Sequence, residues 1–341
     1  MKTKRNISSA FPSLLKWLCL GVLAIESTGT ALAGLVSLRN PAVSPLTVGN
    51  ADSIDPFITP DGRFVVFSSA ASDLVPGDND FFTMDIFLRD RVAGTTTLVS
   101  ESVTGSGGNG DSTAASVSAN GQFVVYQSDA TNIVSGDTNA ATDVFQNDLV
   151  NNVIYTISIA TNGLTGNGAS TDPVMTPNGR YVAFISSANN LVPNDTNNIP
   201  DVFVRDVLNG TTVCASVGAV TNPTIATVMA TPVITPDGRY VAFFSTAKGL
   251  ASGLTNFSQG EIYVRDLVNN QTIWASTNAI ALTWRPGSFM PIPAHPVISS
   301  DGRYVAFKSG ATNSLPPAPD YDFVLQFDCV ANTTREMKWL L

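Results

Sequence analysis

The chain has 341 residues, with 18 Lys plus Arg against 27 Asp plus Glu, a formal charge of −9, one histidine and three cysteines. That acidity opposes phosphate backbones and anionic membrane surfaces, so it speaks against nucleic acid and favours cations, basic partners or plain solubility. One histidine excludes the zinc-hydrolase motifs that need two, and neither G-x-S-x-G nor a P-loop is present.

The chain opens with Lys2, Lys4 and Arg5, followed by the 12-residue apolar run 14–25, which Lys16 interrupts and Glu26 closes. Ala31-Leu32-Ala33 then supplies a small-x-small cleavage pattern, so residues 1–33 read as a signal peptide. A membrane anchor would need about 20 apolar residues. Cys19 follows Lys16-Trp17-Leu18 rather than small residues, which argues against lipid attachment there. The expected product is exported, periplasmic or secreted, without a membrane span, and monomeric. Removing four basic and one acidic residue from 18 and 27 leaves 14 and 26, a mature charge of −12 over residues 34–341, read as one domain.

Residues 34–38 read as a short strand, and a polar connection leads to Asp55. There begins the first of five copies: DPFITPDGRFVVFSS at Asp55, AASVSANGQFVVYQS at Ala114, DPVMTPNGRYVAFIS at Asp172, TPVITPDGRYVAFFS at Thr231 and HPVISSDGRYVAFKS at His295. The turn glycines Gly62, Gly121, Gly179, Gly238 and Gly302 lie 59, 58, 59 and 64 residues apart, which signals a repeat architecture with one late insertion. About twenty residues after each turn comes a third run, as in DIFLRD at Asp85 and DVFVRD at Asp201, and then a fourth, as in TTTLVS at Thr95 and TTVCAS at Thr211. These are β-branched and aromatic runs bounded by turn residues, and no window has a helical period.

Asp-Gly or Asn-Gly between two such runs is a strong hairpin signal, because both residues accept positive φ. The second run is apolar at nearly every position, as in Tyr240-Val241-Ala242-Phe243-Phe244, so it predicts a strand buried on both faces. A two-sheet sandwich would alternate instead. The fold expected is all-β, a β-propeller of four-stranded blades near 53–112, 113–170, 171–230, 231–294 and 295–341. Cys214 and Cys329 fall on non-adjacent blades, beyond the roughly 7 Å Cα reach of a disulfide, and are expected as separate half-buried thiols.

The tandem pattern [DT]P[VF][IM]TP[DN]GR[YF]VAF.S, with NLVPNDTN at Asn190 and DVFVRD at Asp201, resembles the WD-like propeller repeat of TolB and its exported bacterial relatives. The resemblance covers about 35–328 and implies fold and compartment. It implies little about activity, since such propellers include protein-binding modules and enzymes. TolB-like rings usually have six blades, whereas five copies are visible; we expect five blades with a surplus or exchanged strand at 34–38, an incomplete six-bladed ring being the alternative.

Two loop types should converge on one face: those between second and third strands, and those between blades. The first type holds Asp78, Asp80 and Asp85 in copy one, Asp137, Asn139 and Asp143 in copy two, and Asp195, Asn197 and Asp201 in copy three. D-x-N-x-x-x-D offers three oxygen ligands to calcium, which needs six to eight. The same residues equally serve as turn caps, which is the plainer reading, and the EF-hand glycine and glutamate are missing. The second type is Gly-rich; Gly105, Gly107 and Gly110 match G-x-G-x-x-G, but a strand follows where that fingerprint needs a helix, so flexible connections are expected.

His295 aligns with Asp55, Ala114, Asp172 and Thr231 at the start of the inner strand. His295, Asp55 and Asp172 are therefore the candidates for acid-base or metal chemistry at a channel mouth, set against a polar-filler role. Arg63, Arg180, Arg239 and Arg303 after the turn glycines, and Arg89, Arg205 and Arg265 on the third strand, are expected in structural ion pairs between turns or neighbouring blades. No cofactor is required. The favoured reading is a non-catalytic binding module for a protein or cell-envelope partner, with a carbohydrate lyase or hydrolase and a calcium-stabilised surface scaffold as alternatives.

Overall fold

Every hairpin signal closes the turn it announces. The computed structural model describes residues 36, 48–76, 78, 82–252, 260–283, 292–311 and 321–337. The first sheet holds β1 (Ser53–Ile58), β2 (Phe64–Ser69), β3 (Asp85–Asp90) and β4 (Thr95–Leu98); the second, β5 (Ser112–Val117), β6 (Phe123–Ser128), β7 (Asp143–Asp148) and β8 (Val153–Thr156). The third holds β9 (Ser170–Met175), β10 (Tyr181–Ser186), β11 (Asp201–Asp206) and β12 (Thr211–Cys214). The fourth holds β13 (Met229–Ile234), β14 (Tyr240–Ser245), β15 (Glu261–Asp266) and β16 (Gln271–Trp274), and the fifth β17 (Ile292–Ile298), β18 (Tyr304–Ala311), β19 (Tyr321–Asp328) and β20 (Thr333–Glu336). In each sheet neighbouring strands in sequence pair antiparallel, so the chain is an all-β propeller of four-stranded blades. The insertion after β16 carries a short helix, α1 (Ala279–Thr283), which strand chemistry alone did not announce.

The sheets stack through their second and third strands. Val66, Ile86 and Leu88 of the first meet Val124, Tyr126 and Phe145 of the second. The second meets the third through Val125, Val144, Phe184 and Phe203, and equivalent residues join third to fourth and fourth to fifth. Both faces of the inner strands are therefore buried, which is why β2, β10 and their counterparts do not alternate.

The turn residues lock each sheet to the next. Gly238 has φ +76° and lies against the Tyr181 ring of the preceding sheet, where a Cβ would come within 2.2 Å. Gly121, Gly179 and Gly302 meet Phe64, Phe123 and Tyr240 in the same way. Arg63, Arg180, Arg239 and Arg303 stack on the aromatic residue that follows each, at 4.6 to 4.9 Å, and pair with Asp90, Asp206, Asp266 and Asp328 at 2.8 to 3.0 Å. These pairs join the first hairpin turn to the end of the third strand inside one sheet, the expected turn contact, rather than neighbouring blades. Arg89, Arg205 and Arg265 depart from the expected ion pairs: they donate to Thr96, Thr212 and Thr272 on the outer strand. The surplus strand expected at 34–38 lies outside the described residues apart from Val36, which packs against the first sheet.

Candidate functional site

In the register of each sheet, the start of the first strand, the end of the second and the start of the third lie at one end, as Ser53, Ser69 and Asp85 do. Second-to-third-strand loops and inter-sheet loops therefore share a face. A buried acid opens every third strand described with its side chain: Asp85, Asp143, Asp201 and Glu261 are at most 5% exposed. Each accepts a hydrogen bond from a serine just beyond the fourth strand: Ser100 to Asp85 at 2.5 Å, Ser158 to Asp143 at 2.6 Å, Ser216 to Asp201 at 2.5 Å, and Ser276 to Glu261. The serine oxygen in turn accepts the next backbone N–H, as Ser158 does from Val144 at 3.1 Å. Burial outweighs these bonds and pushes the Asp143 and Asp201 carboxyls up to about 6.

The D-x-N-x-x-x-D loops fold onto these acids. Asn139 donates to the Asp143 carboxylate at 2.6 Å and to the Gly166 carbonyl at 2.7 Å, while its own oxygen accepts the Ala141 N–H. Asn197 repeats the arrangement with Asp201, Ala219 and Ile199. The asparagines thus aim nitrogen, not oxygen, at the acid, and latch one loop to the next. Asp137 accepts from the Thr165 hydroxyl at 3.3 Å through one oxygen, whereas the other is buried without a hydrogen-bond partner. Burial raises the carboxyls of Asp137 and Asp195 as well. Asp78 is buried in the corresponding loop of the first sheet, and Asp80 lies outside the described residues. Among the described residues no three His, Cys, Asp or Glu side chains converge as a metal-binding group.

The Gly-rich connections, expected as flexible, are pinned. Asn109 donates its backbone N–H to Asn132 and accepts the Thr131 N–H, and Asn50 and Asn167 make the same two-way clasp with Asp73 and Ser72 and with Asn190 and Asn189. Beside the third sheet the loops border an open pocket of about 360 Å³, lined in part by Asp195, Asn197, Asp201, Cys214 and the stretch from Val217 to Val220. Both valines are 51% exposed at its rim. Cys214 is half-buried and outside any disulfide, as is Cys329, and burial pushes the Cys214 thiol up to about 12, which disfavours the thiolate.

Asp55, Ala114, Asp172, Thr231 and His295 share one feature that the sequence did not announce. All five have φ between 48° and 52°, each at the bulge of an inner strand. Asp55, Asp172 and His295 are exposed, and among the described residues no hydrogen bond or ion pair joins them. Asp172 instead uses its backbone N–H to reach Gln127 of the preceding sheet at 2.9 Å and takes the Thr171 hydroxyl at 3.2 Å. The three align by position, one on the first, third and fifth sheets, without forming a bonded constellation.

No family model matches the chain, and no curated protein matches it. Among solved structures, a provisionally named TolB from Agrobacterium tumefaciens aligns with 14% identity over 88% of both chains, at a TM-score of 0.44. Prolyl endopeptidases align with 12% identity over 84% of this chain and 36% of theirs, at 0.48. A GH74 enzyme from Niastella koreensis aligns with 12% identity over 82% of this chain and 37% of its own, at 0.43. With every TM-score below 0.5, no activity follows from these likenesses.

Proposed function

We propose that the chain is an exported, non-catalytic β-propeller that binds a protein or cell-envelope component through the face of clasped loops. The observation that carries the reading is the pocket beside the third sheet, where Asp195 and Asp201 sit under a rim of exposed Val217 and Val220. Acid beneath aliphatic side chains suits a basic residue flanked by apolar ones, in keeping with the chain's negative charge. The repeat's resemblance to exported TolB-like proteins agrees with this. The test immobilises the chain from residue 34 and captures partners from envelope extracts. Val220→Asp with Asp195→Lys should abolish capture of the specific partner, whereas Val268→Asp, at the opposite end of the fourth sheet, should leave it intact. Equal capture by both variants would overturn the reading.

Calcium-stabilised folding is the second reading, favoured by the buried, unpartnered oxygen of Asp137 next to Asp143. The Gly166 carbonyl and Thr165 hydroxyl lie against the same loop and would add oxygen ligands. A melting temperature that rises with millimolar calcium and falls on chelation supports it; one indifferent to both removes it.

A further inference from the structure

The junctions between sheets are not alike at their outer edge. On β11, Arg205 follows Phe203 by two residues and so shares its face, the one packed on the second sheet. Register sets it opposite Thr212, to which it donates at 3.1 Å. This is the one hydrogen bond its guanidinium makes among the described residues, although the group carries five N–H donors. Burial works against its charge and lowers its pKa from the ordinary value. Asp206, the next residue, is already held by two N–H groups of Arg180.

The equivalent residues of the neighbouring sheets are committed. On β7, Asn147 lies opposite Ile154 as Arg205 lies opposite Thr212; it is buried and crosses to the Val99 carbonyl of the first sheet at 2.9 Å, which closes that junction. On β15, Arg265 is 6% exposed and donates to the backbone and side-chain oxygens of Asn270, both at 2.8 Å, and to Thr272. The third sheet has Gly210 where the fourth has Asn270, both left-handed, at φ +65° and +55°. A Cβ on Gly210 would lie 3.7 Å from Arg205 Nη2, so the glycine leaves open the space that the Asn270 side chain fills. Arg89 likewise has a glycine, Gly94, and one threonine, Thr96; the segment leading into its sheet lies largely outside the described residues.

Arg205 opens into a groove of about 380 Å³ between the third sheet and the connection leading into it from the second. Small-molecule sites span roughly 300–1,000 Å³. Arg205 is its one charged lining residue; Thr161 and Thr211 bring hydroxyls, and Ile159, Leu191 and Pro193 an apolar wall. The connection that supplies Ile159 and Thr161 is fixed by backbone bonds from Thr161 to Asn190 and from Ala160 to Leu164, so the wall is in place before a ligand arrives. We propose that this groove binds a small organic monocarboxylate, its carboxylate forked on the Arg205 guanidinium and its apolar body against Ile159, Leu191 and Pro193. One guanidinium balances one negative charge, whereas a phosphate group brings nearly two and has no use for the apolar wall. Pro193 alone is shared with the lining of the pocket at Asp195 and Asp201, and the site does not rest on the loop-face reading.

The test titrates 4-fluorobenzoate with the full chain and follows the broadening of its fluorine NMR line. The parent should bind with a millimolar or lower Kd, and 4-fluorobenzamide, of the same shape but uncharged, at least tenfold more weakly. Arg205→Gln should weaken fluorobenzoate binding at least tenfold, whereas Arg89→Gln should leave it unchanged. Gly210→Asn keeps the arginine and the left-handed turn, which asparagine tolerates, and supplies the side chain that occupies Arg265 in the fourth sheet. It should weaken binding at least tenfold while melting no lower than the parent. No broadening at tens of millimolar, equal binding of the benzoate and the benzamide, parent-like binding by Arg205→Gln or Gly210→Asn, or an equal loss in Arg89→Gln overturns the proposal. So does displacement of the fluorobenzoate by equimolar inorganic phosphate, because the groove would then hold anions whatever their body.

Discussion

At the scale of single residues, the buried acids make the fold sensitive to pH in a definite direction. Asp143 and Asp201 have folded-state carboxyls near 6, above the unfolded value of roughly 3.9. Their contribution to stability is full below about pH 4 and is lost as pH rises through about 6, because the native state must then bury a charge. The cost approaches about 3 kcal/mol per group. Asp143→Asn, measured in chelator, should therefore melt progressively higher relative to the parent as pH is raised from 4 to 8; a constant difference across that range would refute the assignment. Gly238→Ala is the second residue-level case. A Cβ 2.2 Å from the Tyr181 ring, at φ +76°, should cost about 2–4 kcal/mol in urea unfolding.

At the scale of the element, the hairpin lock is modular, and the second sheet is its natural exception. Gln122 stands where the other sheets have arginine and gives Asp148 a single hydrogen bond at 3.1 Å. Gln122→Arg should rebuild the ion pair with Asp148 and stack on Phe123, raising stability by about 1 kcal/mol in urea titration. The strands and turns of this unit were legible from the sequence, because Asp237-Gly238 before Tyr240–Phe244 leaves the backbone little choice. The loops were less legible. D-x-N-x-x-x-D names the oxygen atoms available but not which way an amide turns, and Asn139 turns its nitrogen to Asp143 because its oxygen is taken by Ala141. Ser100, Ser158, Ser216 and Ser276 went unremarked although they end the fourth run of four copies; a small polar residue recurring after apolar ones was the signal. The positive φ at His295 and its counterparts could not be read, since Asp, Ala, Thr and His share no preference for it.

At the scale of the molecule, sheets joined in sequence by hydrophobic clusters, each to the next among the described residues, should unfold as a row of coupled units. Phe184 and Phe307 are equivalent buried aromatics on the third and fifth sheets, and truncating either to Ala should cost about 3–5 kcal/mol locally. The consequences should differ. In Phe307→Ala, hydrogen exchange should lose protection mainly in β17 to β20, because among the described residues the fifth sheet's core cluster is shared with the fourth alone. In Phe184→Ala the loss should extend to the second and fourth sheets; identical exchange patterns in the two variants would mean that the stack unfolds as one.

The lock between Gly238 and Tyr181 has a genetic consequence as well. At four junctions an aromatic ring of one repeat meets the turn glycine of the next, so the same contact joins each pair. Unequal recombination that deleted or duplicated one unit of about 59 residues, the spacing of these glycines, would leave both new neighbours correctly joined. Copy number is thus a quantity that such a gene can change in a single event.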